Sequence, residues 1–123
     1  MCHQTVSLVA RHLEENGLST VVMGSARDIV EECGVARFLF TDFPLGNPAG
    51  KPWDIDMQQS ILGMALDLLE QAWMPRTTIQ TPCQWPDDQW RDAFMKVDAS
   101  NREALAREGK ERRELQAGMK KSR

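Results

Sequence analysis

With 123 residues, 41% of them hydrophobic, the chain has the length and apolar content for one ordinary domain around a single core, and too little for two. Its net charge of −3 is unevenly spread: residues 1–99 carry 7 Lys or Arg against 14 Asp or Glu, a balance of −7, while residues 100–123 carry 8 against 4, a balance of +4. The acidic body argues against a nucleic-acid partner, and the odd number of cysteines and the lack of an apolar run of membrane length predict a reduced, cytoplasmic protein with no disulfide framework and no membrane span.

Taken in chain order, Val6, Val9 and Leu13 recur at helical spacing, and Asn16-Gly17 closes that segment as a helix C-cap would. Ser19-Thr20-Val21-Val22-Met23 is a short β-branched run, as expected for a strand buried on both faces. Gly24-Ser25 turns the chain. Ala26 to Cys33 then reads as a short helix, with Ser25 as its N-cap, Asp28 in its first turn and Gly34 at its end. Val35 to Phe40 is a second strand. It leads into Pro44-Leu45-Gly46-Asn47-Pro48-Ala49-Gly50-Lys51-Pro52, where three prolines fix φ and two glycines permit φ > 0.

A long helix is expected from Asp54, its N-cap, to about Trp73. Ile61, Ala65, Leu68, Leu69 and Ala72 form its apolar face, and Pro75 forbids continuation. Thr77 to Thr81 is extended but polar, which suits an edge strand or a loop. Pro86-Asp87-Asp88 opens a helical stretch bearing Trp90, Ala93 and Phe94. From Ser100 to about Lys121 the chain is polar nearly all round, as in a solvated or partner-dependent terminal helix. Residues 1–98 are thus expected to form a single α/β domain, and residues 99–123 a polar, basic C-terminal helix or tail.

The order helix, strand, helix, strand, helix belongs to a small three-layer parallel-sheet α/β unit of Rossmann or flavodoxin type that lacks its first strand and carries a helical C-terminal extension. A shortened N-terminus is the expected reason for the missing strand, with another chain or a later segment filling the gap as the alternative. The arrangement gathers three sequence-distant pieces at the carboxyl edge of the sheet, where open α/β sheets bind ligands: Cys2-His3-Gln4-Thr5, Ser25-Ala26-Arg27-Asp28, and Asp42 through Asn47.

Within this set Cys2 is the nucleophile candidate, because the positive end of a helix dipole favours a thiolate, and His3 and Arg27 reinforce the effect where they converge on it. Gly24-Ser25-Ala26-Arg27 offers backbone N–H groups and a guanidinium at a helix N-terminus as an anion seat, although neither the Gly-x-Gly-x-x-Gly nor the Walker pattern is present. In the loop, Asn47 is the neutral side chain suited to fixed polar contacts and Asp42 the nearby carboxylate, beside Pro44 and Gly46. Cys33 reads as a small core residue, Cys83 as a loop thiol open to exposure but without an activating charge beside it, and His12 as a surface histidine. No Cys-x-x-Cys or His-x-x-x-His pair occurs, so no metal site is expected.

The segments Cys2-His3-Gln4-Thr5, Gly17-Leu18-Ser19-Thr20-Val21-Val22, Ser25-Ala26-Arg27-Asp28-Ile29 and Phe43-Pro44-Leu45-Gly46-Asn47-Pro48 resemble the glycine/sarcosine/betaine reductase selenoprotein B family, which includes the small D-proline reductase subunit. The resemblance covers about residues 2–75, and the Pro-Leu-Gly-Asn-Pro loop is its most specific part. It implies reductive cleavage of a C–N bond in an amino acid or amine. In that family a selenocysteine or cysteine attacks substrate held on a pyruvoyl group of a partner subunit, and dithiols supply the electrons. This chain has no selenocysteine, and the resemblance puts Cys2 near the redox-active loop.

Two functions follow. In the first, a thiol-dependent oxidoreductase, Cys2 is the nucleophile, and His3, Gln4, Thr5, Ser25, Arg27, Asp42, Pro44, Gly46 and Asn47 bind an amino-acid-like or carboxylate substrate, with no cofactor on this chain. In the second, the same scaffold is a non-catalytic module that binds a small metabolite or a protein. Under both, a second copy or a partner subunit is expected to cover the exposed sheet edge.

Overall fold

The computed structural model describes residues 2–94 and 96–121, and for Ala93 and residues 119–121 the backbone alone. Met1, on which the expectation of a shortened start bears, lies outside the described residues. The chain divides between Asp88 and Gln89 into two compact units.

The first unit runs α1 (Cys2–Glu15), β1 (Val22–Gly24), α2 (Arg27–Cys33), β2 (Arg37–Phe40), α3 (Ile55–Gln71) and β3 (Thr77–Gln80). Its strands form a parallel sheet in the order β1-β2-β3, with Val22 beside Phe38, Met23 beside Leu39, and Leu39 beside Ile79. The small parallel α/β architecture expected from the sequence is therefore present, and its first helix precedes its first strand. The polar segment at Thr77 is an edge strand.

Alternation along β2 divides the core. Phe38 joins Val22, Val35, Ala10 of α1 and Val30 of α2 on one face, whereas Leu39 joins Phe43 and Ile61, Ala65 and Leu68 of α3 on the other. The sheet advances in one direction while α2 and α3 lie on opposite faces, so the two crossovers have opposite hands. Right-handed crossovers throughout are the usual rule. The site is unaffected, because in a parallel sheet every strand's carboxyl end lies along one edge whatever the hand of its connections.

Local chemistry explains the element boundaries. The Asp54 carboxylate caps α3 by accepting from the Met57 N–H at 3.1 Å. Gly17, at φ 81°, follows α1, and Gly34, at φ 71°, follows α2, the left-handed geometry of helix C-caps. Glu14 fastens α1 to the sheet: its Oε1 accepts from Arg37 Nη1 at 2.9 Å and from the Thr20 hydroxyl at 2.8 Å. In α3, Leu69 is half-buried and lies outside the cluster formed by Ile61, Ala65 and Leu68.

The second unit comprises α4 (Gln89–Ala93) and α5 (Arg102–Lys121). Trp90 meets Phe94 edge to face at 5.9 Å, and the Arg91 guanidinium lies 4.5 Å over the Trp90 ring. Ahead of α5, the Asp98 carboxylate accepts from the Ser100 hydroxyl and from the Ser100 N–H, and these bonds hold its carboxyl below the usual range. Nearly all described side chains of α5 are exposed, Leu105 and Leu115 among them.

Candidate functional site

The buried face of α1 carries His3, Ser7 and Ala10, spaced i, i+4, i+7, whereas Val6 and Val9, which mark the helix in the sequence, are about half exposed. Small and polar residues face inward because α1 lies close against the carboxyl end of β1. A Cβ added to Gly24 would sit 2.9 Å from His3 Cδ2 and 3.2 Å from Phe38 Cε2. Only hydrogen at that position leaves room for the imidazole, so Gly24 is the floor of the His3 site.

His3 is 8% exposed and joined on both sides. Its Nε2 accepts from the backbone N–H of Ser25 at 3.1 Å, and its Nδ1 lies 3.7 Å from Cys2 Sγ. Two of the three expected pieces, the start of α1 and the turn after β1, therefore meet directly through this ring. Cys2 lies within the first turn of α1 rather than in a loop ahead of it, and its side chain is exposed. Gln4 and Thr5 are exposed on the same turn.

Ser25 differs from its expected role. The residue ahead of α2 in the N-cap position is Ala26, and no side chain caps that helix. The Ser25 backbone is held by His3, and its Oγ is buried with no hydrogen-bond partner. Arg27 pairs with Glu31 at 3.0 Å and stands 5.9 Å above the Phe40 ring, so its guanidinium runs along α2 and over the end of β2.

The third piece is tied to the other two through Thr41, which is fully buried. Its N–H donates to Gly24 O at 3.0 Å and its hydroxyl to Pro48 O at 3.0 Å, so one residue links the end of β1 to the proline-rich loop. Pro44 O accepts from both the backbone N–H and the side-chain Nδ2 of Asn47, at 3.2 and 3.3 Å. Asn47 thus stiffens the turn with its amide nitrogen. Gly46, at φ 96°, crosses the loop tip with open space around it. Asp42 is half-buried between Thr41 and the fully buried Phe43.

Sequence reasoning reads Gly24 as a turn residue and part of the anion seat but misses its contact with α1, and it misses Thr41. An isolated glycine at a strand end, next to a serine, is the signal of close backbone approach that marks the first. Cys33, at the end of α2, is half-buried, and Cys83 is half-buried against the Leu39 cluster rather than exposed; all three cysteines are free. Two clefts, one of about 270 Å³ between α3 and Ile79 and an open one from Lys51 to Asp56 beside the exposed Trp53, contain none of the expected site residues. Among the described residues no three His, Cys, Asp or Glu side chains gather as a metal site, and no helix is long and apolar enough to cross a membrane.

The chain is a small parallel α/β protein whose first helix brings Cys2 and His3 beside the turn after β1. Among known proteins, 60 residues of the chain are 32% identical to D-proline reductase subunit gamma of Acetoanaerobium sticklandii, which indicates a distant relationship to that protein. The match takes in 49% of this chain and spans about a quarter (25%) of that subunit's length. No protein-family model and no solved structure matches the chain.

Proposed function

We propose that this chain is a thiol-dependent oxidoreductase module of the D-proline reductase kind, with Cys2 as nucleophile toward an amino acid or amine. The observation that carries the reading is the hydrogen-bonded series from Cys2 Sγ through His3 to the Ser25 N–H, at the sheet edge where α/β proteins bind ligands. The distant likeness to D-proline reductase subunit gamma supports it.

In the reaction, the Cys2 thiolate bonds to the carbon that bears nitrogen, and the C–N electron pair leaves with the nitrogen, which takes up a proton. A small dithiol then attacks the Cys2 sulfur, the carbon departs with the C–S pair and is protonated, and the second thiol closes the disulfide and frees Cys2. The substrate carboxylate is bound by the Ser25 hydroxyl and the Arg27 guanidinium. The latter is available because its exposed pair with Glu31 is worth only about 0–1 kcal/mol. Gln4, Thr5, Asp42 and the Pro44–Asn47 turn, with Gly46 at its tip, complete the walls, and a second copy or a partner subunit covers the open sheet edge.

The orphaned Ser25 Oγ favours a bound polar ligand whether or not chemistry follows, so binding without turnover is the second reading. Both are tested by offering D-proline, glycine, sarcosine and betaine to the protein with dithiothreitol. At least one should slow iodoacetamide labelling of Cys2 and drive dithiothreitol oxidation that Cys2→Ser abolishes. Protection without oxidation, with binding kept in Cys2→Ser, selects the binding module, and no protection by any of them rejects the amino-acid site.

A further inference from the structure

We infer that His3 is held as the neutral tautomer protonated on Nδ1, and that it acts on Cys2 as a hydrogen-bond donor, neither as a base nor as an imidazolium partner. The effect on Cys2 rests on the reading of Cys2 as the site thiol; the tautomer does not.

The Ser25 backbone N–H is a donor that cannot reverse its role. It points at His3 Nε2 from 3.1 Å, so that nitrogen presents a lone pair and carries no proton. A neutral imidazole has one N–H, and it therefore belongs to Nδ1, the nitrogen 3.7 Å from Cys2 Sγ.

The ring has little freedom to escape this arrangement. A Cβ on Gly24 would lie 2.9 Å from the ring's Cδ2 and 3.3 Å from its Nε2, and Phe38 Cε2 would lie 3.2 Å from the same point. Ser7, one turn along α1, donates its hydroxyl to the His3 carbonyl at 2.7 Å and fixes the backbone from which the ring projects. The ring meets a backbone amide at Nε2 and sulfur at Nδ1. His3 is therefore a positioning residue that transmits the conformation of the Ser25 turn to the Cys2 sulfur.

The consequence for chemistry is specific. A nucleophilic cysteine paired with a histidine base loses its proton to that base, whereas here both ring nitrogens are committed and the thiol proton must leave to solvent or to substrate. The Nδ1–H then steadies the thiolate as a neutral donor. Two substitutions separate the two ends of the ring. His3→Asn places an amide N–H near the position of Nδ1 and removes the acceptor for Ser25, while His3→Gln carries an acceptor to the position of Nε2 and removes the donor for Cys2.

The test uses the full chain labelled with ¹⁵N on its histidines, with the exposed His12 as reference. At neutral pH the spectrum should show His3 protonated at Nδ1 and bare at Nε2, and a protonated Nε2 overturns the inference. In parallel, iodoacetamide should label Cys2 about tenfold more slowly in His3→Gln, the effect of one lost hydrogen bond to a charged acceptor. His3→Asn, which keeps a donor for Cys2 but loses the Ser25 bond, should label faster than His3→Gln and more slowly than wild type, with its melting temperature lowered; a rate at or below that of His3→Gln overturns the donor role. Wild-type labelling in His3→Gln overturns the donor role. An unreactive Cys2 in the wild type, beside a Nδ1–H spectrum, rejects the thiol reading and leaves the tautomer standing.

Discussion

Phe43→Ala is expected to remove about 3–5 kcal/mol of stability, a large share of the roughly 5–15 kcal/mol that holds a domain of this size. The ring is 1% exposed and packs with Leu39, Ile61, Ala65 and Leu68, and it meets Trp85 at 5.1 Å in an edge-to-face contact. It is also the last residue before the proline-rich loop, and its N–H donates to Thr41 O at 2.9 Å. Truncation therefore opens a cavity beneath α3 and frees the root of the loop together. Urea unfolding followed by tryptophan fluorescence measures it: the midpoint should fall sharply. A midpoint within experimental error of wild type would mean that the loop is anchored by other contacts.

Gly24→Ala is the second substitution with a large effect, and its sign is informative. Alanine in a strand ordinarily stabilises relative to glycine by about 0.5–1 kcal/mol, because glycine loses more chain entropy on folding. Gly24 has no positive φ that would reverse this preference. The added methyl would overlap His3 Cδ2 and press on Phe38, so overpacking should dominate and cost about 1–3 kcal/mol. The same push displaces the imidazole from Ser25, so Cys2 alkylation should slow as well. An unchanged or raised melting temperature would show that His3 does not rest on this glycine.

Much of the fold was legible because its signals are local. The Asp54 cap and Pro75 bracket α3, the apolar run before the proline-rich loop is β2, and Gly34 in left-handed geometry ends α2. What escaped depends on distance across the fold. Ser25 had the chemistry of an N-cap, yet its backbone N–H is taken by a histidine 22 residues earlier. Val6 and Val9 outrank Ser7 and Ala10 in hydrophobicity, but hydrophobicity does not report the space available beneath a helix, and close approach of α1 to Gly24 selects the smaller side chains. Thr41 looked like an ordinary residue after a strand. Its two hydrogen bonds, to Gly24 and Pro48, exist only once β1 and β2 are paired.

The candidate site was legible as a set of strand ends rather than as a network. Parallel topology places the three pieces on one edge without any knowledge of side chains, whereas the link from Cys2 through His3 to Ser25 needs the helix to start at Cys2 and the ring to turn inward. Arg27 illustrates the limit. Its position at the start of α2 was clear, and its engagement with Glu31 and the Phe40 ring follows from rotamers that sequence does not specify.

The most direct test of the central claim is the iodoacetamide labelling rate of Cys2 in the folded protein relative to the same cysteine in the urea-unfolded chain, read by peptide mass with Cys33 and Cys83 as internal references. An exposed but ordinary thiol gains nothing from folding. If the His3 donor and the start of α1 steady the thiolate, folding should accelerate Cys2 labelling while it slows that of the half-buried Cys33 and Cys83. A Cys2 rate that is equal or lower in the folded state would contradict the assignment of this sheet edge as a thiol site.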